Sequence, residues 1–160
     1  MQRYTVIIGR AEGVDIVNTA LDVPAKIDSG AFRSSIHASN IKVVTKDGVR
    51  TLKCKLLGHP CSPIQRDFET TQFDEVIVRS SNGQEETRYE VSLRVKLGNK
   101  VFNTSFSLAD RSGNLFPILI GRKALKNRFL VDVAKGNVNR QRLLKDFGVT
   151  APRDEEDLED

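Results

Sequence analysis

Two dipeptides constrain this chain more than any other feature in it. Asp47-Gly48 divides "IKVVTKDGVRTLKCKLL", and Asn82-Gly83 divides "FDEVIVRSSNGQEETRYEVSLRVKL". Each lies between strand-like runs rich in β-branched residues, and each offers the positive φ that a tight hairpin demands. "GNK" turns the chain again, and "VFNTSFSLA" behind it alternates with period two. "TVIIGR" and "VPAKI" are further short apolar runs. The pattern predicts an all-β, antiparallel domain over residues 1–150. "GHPCSPIQRDFETTQ", with two prolines, reads as a polar loop. Two segments carry helical spacing. "RKALKNRF" follows Gly121 with Ala124, Leu125 and Phe129 in phase, and "NRQRLLKDFG" (139–148) ends on Gly148 as a C′ residue. Between them "FLVDV" reads as a short strand.

The formal net charge of +4 hides an asymmetry. "RDEEDLED" at the C-terminus holds one Arg and six acids, so Met1–Pro152 has 24 basic and 15 acidic residues and carries +9. Residues 151–160 are expected to be a disordered acidic tail. A body this basic favours an anionic partner through its long-range field. No run approaches the roughly 18 apolar residues of a membrane span. The N-terminal stretch lacks the pattern of a signal peptide, and two cysteines do not make a disulfide framework. A cytoplasmic protein with no membrane partner is expected.

Function is carried by two short motifs. "AKIDSGA" is an apolar strand that ends on Asp28 and turns at once through Ser29 and Gly30. Asp28 is either a turn-former that bonds its own backbone or a carboxylate aimed at a substrate. "FPILIGRKAL" is an apolar run that ends in Gly121-Arg122 and opens a helix. The pair, in this order, resembles the retropepsin aspartic proteases. Their active-site turn is Asp-Thr/Ser-Gly-Ala, and a later apolar pair followed by Gly-Arg packs behind it. The blocks "AKIDSGAFRSSIHA", "RSSNGQEETRYEV", "LADRSGNLFPILIGRKAL" and "FLVDV" are similar to a narrower bacterial family, the RimB-like retropepsins, also labelled ATP-dependent zinc proteases. The resemblance runs from about Ile7 to Val133. Members more usually carry Asp-Thr-Gly, and Ser29 keeps the hydroxyl.

The resemblance implies a closed retropepsin-like β-barrel with one short helix after Gly-Arg and a C-terminal helix. It implies an aspartic endopeptidase in which Asp28, Ser29 and Gly30 form the catalytic turn and no cofactor is used. Two carboxylates must share a proton, since like charges about 3 Å apart cannot both ionise. Asp110 and Asp132 precede no Ser/Thr-Gly pair, so the second carboxylate would be Asp28 of another copy, in a C2 homodimer. Ser29 would fix the turn across the site, and Gly30 would take positive φ. The flap, a glycine-rich hairpin that covers substrate, falls at Asn82-Gly83, which precedes Gly121 by 38 residues. The extra length relative to a retroviral protease falls between about Ala38 and Asp74. Phe32 stands where retroviral enzymes carry an Asp that pairs with the Gly-Arg arginine, so Arg122 needs another partner. Relatives are associated with an ATP-grasp glutamate ligase that modifies a ribosomal protein, and with trimming of the added glutamates.

An acidic peptide or protein is therefore the expected substrate. Ala31, Arg33, His37, Arg79, Asn82, Gly83, Arg88, Arg111 and Arg122 are the candidate substrate-binding residues. Arg grips a carboxylate in a bidentate fork; the competing role for each Arg is structural pairing with Asp74, Glu90, Asp110 or Asp132. His37 could touch substrate or be a polar residue at a strand end. Two other readings stand beside the peptidase: a non-catalytic module that binds acidic peptides, and a zinc-dependent hydrolase. For zinc, "CKLLGHPC" with His37 would have to supply the ligands, and that spacing matches no established site, so no metal is expected. The phenylalanines fall at strand spacing and read as core, so nucleic acid is not the expected partner.

Overall fold

A computed structural model describes residues 6–79 and 82–148. It contains eleven strands and two short helices among those residues. The strands are β1 (Val6–Gly9), β2 (Ala11–Ile16), β3 (Ala20–Asp28), β4 (Ser34–Lys46), β5 (Val49–His59), β6 (Ser62–Thr70), β7 (Asp74–Arg79), β8 (Glu85–Leu97), β9 (Lys100–Ala109), β10 (Ile118–Gly121) and β11 (Phe129–Asp132). The helices are α1 (Arg122–Leu125) and α2 (Arg140–Phe147). The acidic tail expected at 151–160 lies outside the described residues.

Six strands close a barrel in the order β10-β3-β2-β8-β9-β4, and β4 pairs back onto β10. Period-two burial drives the closure. Val23, Ala25 and Ile27 of β3 point inward, as do Val91, Leu93, Val95 and Leu97 of β8. Ile118 and Ile120 of β10 have no exposed surface at all. Burying each such side chain is worth roughly 2 kcal/mol, which anchors a four-residue strand that would otherwise be too short to hold. β4, β5 and β6 run on as an antiparallel arm, so the additional length expected between Ala38 and Asp74 is sheet.

The three hairpins form where expected. Asp47 and Gly48 both have positive φ (51° and 79°), as do Gly98 and Asn99 (52° and 70°). Gly83 (φ 83°) turns the longer β7–β8 hairpin. Two expectations about the strands need correction. The domain is not purely antiparallel: β1–β11, β3–β10 and β4–β9 are parallel pairs, made by strands far apart in sequence that no local turn signal reveals. The polar loop of residues 58–72 is largely strand, because β5 runs to His59 and β6 continues from Ser62. β6 is an edge strand with little burial, which is why it lacks an apolar signature and tolerates Pro63.

The helix after Gly121 is also shorter than its spacing suggests. It stops at Leu125, Asn127 takes φ 65°, and Phe129 starts β11. α2 is capped by Asn139, whose side chain accepts the Arg142 N–H at 3.1 Å, and Gly148 (φ 100°) ends it. No helix among the described residues is long and apolar enough to cross a membrane.

Candidate active site

β3 delivers Asp28 to the barrel rim directly beside Gly121, its parallel register partner on β10. The chain then reverses. The Ala31 N–H donates to the Asp28 carbonyl at 3.2 Å, and the Gly30 N–H donates to Asp28 Oδ1 at 2.9 Å. Asp28 is thus a turn-former, and the turn also fixes its half-buried carboxylate: one oxygen is held by the backbone, and a carboxylate has two. Gly30 does not adopt the positive φ expected of it. Its lack of a side chain matters for space instead, since a Cβ there would lie 3.2 Å from Asp28 Oδ1. Ser29 is exposed at the apex.

The turn is braced from behind by the Gly-Arg element. The Arg122 N–H donates to Ala31 O at 2.7 Å and the Lys123 N–H to Phe32 O at 3.2 Å. The Gly121 N–H donates to the buried Ser34 hydroxyl at 3.0 Å. Arg122 finds the partner its sequence context left open: Nη1 donates to Gly30 O at 3.1 Å, and its guanidinium lies over the Phe32 ring, 5.4 Å from the centroid. Phe32 therefore takes up the arginine through its π-face and not through a carboxylate.

Across a pocket from the turn stands the β7–β8 hairpin, with Asn82 and Gly83 exposed near its tip. Asn82 Oδ1 accepts the Gln84 N–H at 3.2 Å. Between hairpin and turn lies a pocket of about 330 Å³ that brings together Ala31, Arg33, Arg88 and Arg111 from the expected set, with Val76 and Glu90. A neighbouring space of about 650 Å³ adds His37 and shares Arg88 and Asp110 with it. Arg33 pairs with Glu90, and Arg88 lies 3.5 Å from Glu86. Arg79 ends β7 in register with Glu85; its side chain lies outside the description. Arg122 sits behind the turn and does not line either space.

His37 and His59 pack edge to face with centroids 5.4 Å apart. His37 Nδ1 accepts the Arg111 N–H at 2.9 Å, so that nitrogen carries no proton. His59 Nδ1 accepts the Cys61 N–H at 3.0 Å, which leaves Nε2 to donate to the carbonyls of Arg111 (3.0 Å) and Asn114 (2.8 Å). Burial lowers both imidazole pKa values; Asp110 partly opposes this at His37, and the Asn114 carbonyl does so at His59. The pair holds the 110–114 loop that walls the pocket, and Arg111 Nε secures it further on Phe116 O at 2.9 Å. Burial pushes the Cys54 and Cys61 thiols up to about 11. Among the described residues no three His, Cys, Asp or Glu side chains converge as a metal site would require.

Sequence reasoning missed Ser34, placed His59 only among possible metal ligands, and named Glu90 only as one of four possible partners for the arginines, where the structure pairs it with Arg33. Glu90 alternates with Arg88 on β8, but nothing local distinguishes it from the other acids of that strand. His59 is hidden because it enters through a bulge in which Leu57 (φ 66°) and Gly58 (φ 76°) are both left-handed.

A closed six-stranded barrel with one Asp-Ser-Gly turn, a Gly-Arg brace and a long hairpin facing the turn across a pocket defines the retropepsin-like class. The chain belongs to the RimB-like family, described as retropepsin-like aspartic endopeptidase RimB, which it matches over residues 7–142. It is 33% identical over 132 residues to a probable alpha-L-glutamate ligase of Desulfotalea psychrophila, covering 78% of this chain and 28% of that one. A protein of the same description from Shewanella pealeana is 34% identical over 119 residues, covering 71% and 26%. The chain thus spans little more than a quarter of these relatives' length. A crystal structure of a Legionella pneumophila protein of unknown function (DUF785) superposes with a TM-score of 0.66 at 29% identity, covering 84% of this chain and 98% of that one.

Proposed function

We propose that the chain is one protomer of a homodimeric aspartic endopeptidase that cleaves acidic, glutamate-rich peptides in the cytoplasm. The observation that carries this reading is the Asp28 turn, with its carboxylate pinned by the Gly30 N–H and braced by Gly121 and Arg122. Fixing a carboxylate at a rim costs conformational freedom, and a catalytic group needs that fixation. With Asp28 of a second copy, one carboxylate takes a proton from water as it attacks the peptide carbonyl. The other, protonated, donates a hydrogen bond to the carbonyl oxygen as charge develops there. The β7–β8 hairpin covers an extended substrate and excludes bulk water.

The acidic substrate is supported by the three arginines of the smaller pocket and by the +9 body. It is also supported by the relatives' description as glutamate ligases, in which a domain like this one occupies about a quarter of the polypeptide. The same relatives' description supports a functional link to a glutamate ligase of the ATP-grasp class that makes such peptides. The test is hydrolysis of a glutamate-rich peptide by wild-type protein and by Asp28→Asn, purified in parallel. Wild type should cleave with EDTA present, and Asp28→Asn should be folded and inactive. Equal cleavage by both, or activity that EDTA removes and zinc restores, would reject the aspartic mechanism.

A further inference from the structure

Among the described residues Glu90 is the single buried carboxylate. Its side chain is 8% exposed, yet its partner Arg33 is 47% exposed. A buried charge is costly unless it is paired, so Glu90 needs Arg33. Here the anion is inside and the cation half outside, at a pocket whose wall includes Ala31, three residues after Asp28. The guanidinium has five N–H donors in a planar fork. Glu90 engages Nη1, and the Phe32 ring supports the group with its centroid 5.8 Å from Cζ. The arginine is therefore held from the protein side by a carboxylate and a ring while its half-exposed remainder lies at the cleft. Arg88, two residues from Glu90 and on the same face of β8, lines the same pocket with 43% of its side chain exposed. Arg111 and Asp110 also line it, so the guanidiniums outnumber the carboxylates.

We propose that Arg33, oriented by the buried Glu90, sets the specificity of the cleft by taking the side-chain carboxylate of a substrate glutamate or aspartate in the pocket beside the Asp28 turn. Glu90 is then a positioning residue: it lies buried at the pocket wall and aims the guanidinium that takes the substrate carboxylate. The inference rests on the peptidase reading only for the identity of the cleft, so it can be tested by binding without turnover.

The full chain carrying Asp28→Asn is titrated against two fluorescein-labelled peptides that differ only in glutamate or glutamine at one position. Hydrogen bonds between charged groups are about twice as strong as neutral ones, so the glutamate peptide should bind about tenfold more tightly. Adding Arg33→Gln with Glu90→Gln keeps an amide pair of similar shape and should erase that preference. Adding Arg33→Glu with Glu90→Arg keeps an ion pair and should transfer the preference to a matched lysine peptide. If the exchanged pair does not fold, the double-glutamine variant decides. A glutamate preference that survives in the double-glutamine variant, or no binding of either peptide at any stage, would overturn the proposal. Wild-type hydrolysis separates the two ideas. Arg33-dependent binding without any cleavage counts against the enzyme and not against the specificity, while equal cleavage of both peptides does the reverse.

Discussion

Gly121→Ala is the substitution whose consequences the structure fixes most tightly. A Cβ at this position would stand 2.6 Å from Arg33 O, 2.7 Å from Arg33 C and 2.8 Å from Phe32 O. All three are backbone atoms, so no side-chain rotation relieves the clash. The backbone of residues 32–33 would have to retreat, and it is tied to α1 through the bond from the Lys123 N–H to Phe32 O. The neighbouring N–H of Gly121 is itself engaged by Ser34. Overpacking typically costs about 1–3 kcal/mol, and a clash with backbone on a braced turn belongs at roughly 3. For a domain of this size that lowers Tm by roughly 6–12 °C. The folded fraction should also lose activity by about a hundredfold, because the shift moves the turn that aims Asp28. Gly30→Ala is the internal control. Its Cβ would meet only the Asp28 carboxylate, at 3.2 Å, and a side-chain oxygen can rotate away. It should cost about 1 kcal/mol or less in stability while still impairing catalysis. Urea denaturation and peptide hydrolysis, run on both variants, are the assay. A Gly121→Ala protein with unchanged midpoint and unchanged rate would refute the claim that β10 braces the catalytic turn by close backbone contact.

Two further outcomes are expected. Gly83→Pro removes a φ of 83° that proline cannot adopt, while a Cβ there meets nothing within 4 Å; thermal stability should fall little and peptide turnover substantially, and the reverse result would make the hairpin tip purely structural. Burial lowers the pKa of His37 and His59 in the folded chain, so below the ordinary value of 6.5 the unfolded chain takes up protons that the folded one resists. Stability should therefore decline as pH falls from about 6.5, and His37→Asn, which can still accept the Arg111 N–H, should make that decline shallower in urea melts at pH 7 and pH 5.5. An unchanged slope would show that His37 is not neutral in the fold.

Local chemistry is what a sequence writes clearly. The hairpins at Asp47-Gly48 and Gly98-Asn99 were legible because positive φ at consecutive residues is carried by few residue types. The turn at Asp28 and its brace were legible because Asp28, Ser29 and Gly30 are contiguous and Gly121-Arg122 is an equally compact partner. What lay hidden was set by distance along the chain. The parallel pairing of β3 with β10 joins residues more than ninety apart, and β6 disguises itself by being an exposed edge. The Arg33–Glu90 pair spans 57 residues, and neither residue's sequence neighbourhood shows which of the two is buried. Arg122 illustrates the same limit: without an Asp at position 32 its partner was undetermined, and the fold supplies a backbone carbonyl and an aromatic face. For Gly30 the expected positive φ is absent, and what the fold needs there is room beside the Asp28 carboxylate.

The central claim is that two copies of Asp28 make one active site, and subunit mixing tests it most directly. A fixed amount of wild-type protein is equilibrated with increasing Asp28→Asn protein, and hydrolysis of a glutamate-rich peptide is followed at each ratio. If the site is shared on a two-fold axis, the variant draws wild-type chains into heterodimers with a single ionisable Asp28, and activity should fall steadily toward zero in excess variant. Activity that stays at its starting value at every ratio, under conditions where labelled subunits demonstrably exchange, would contradict the shared-carboxylate account.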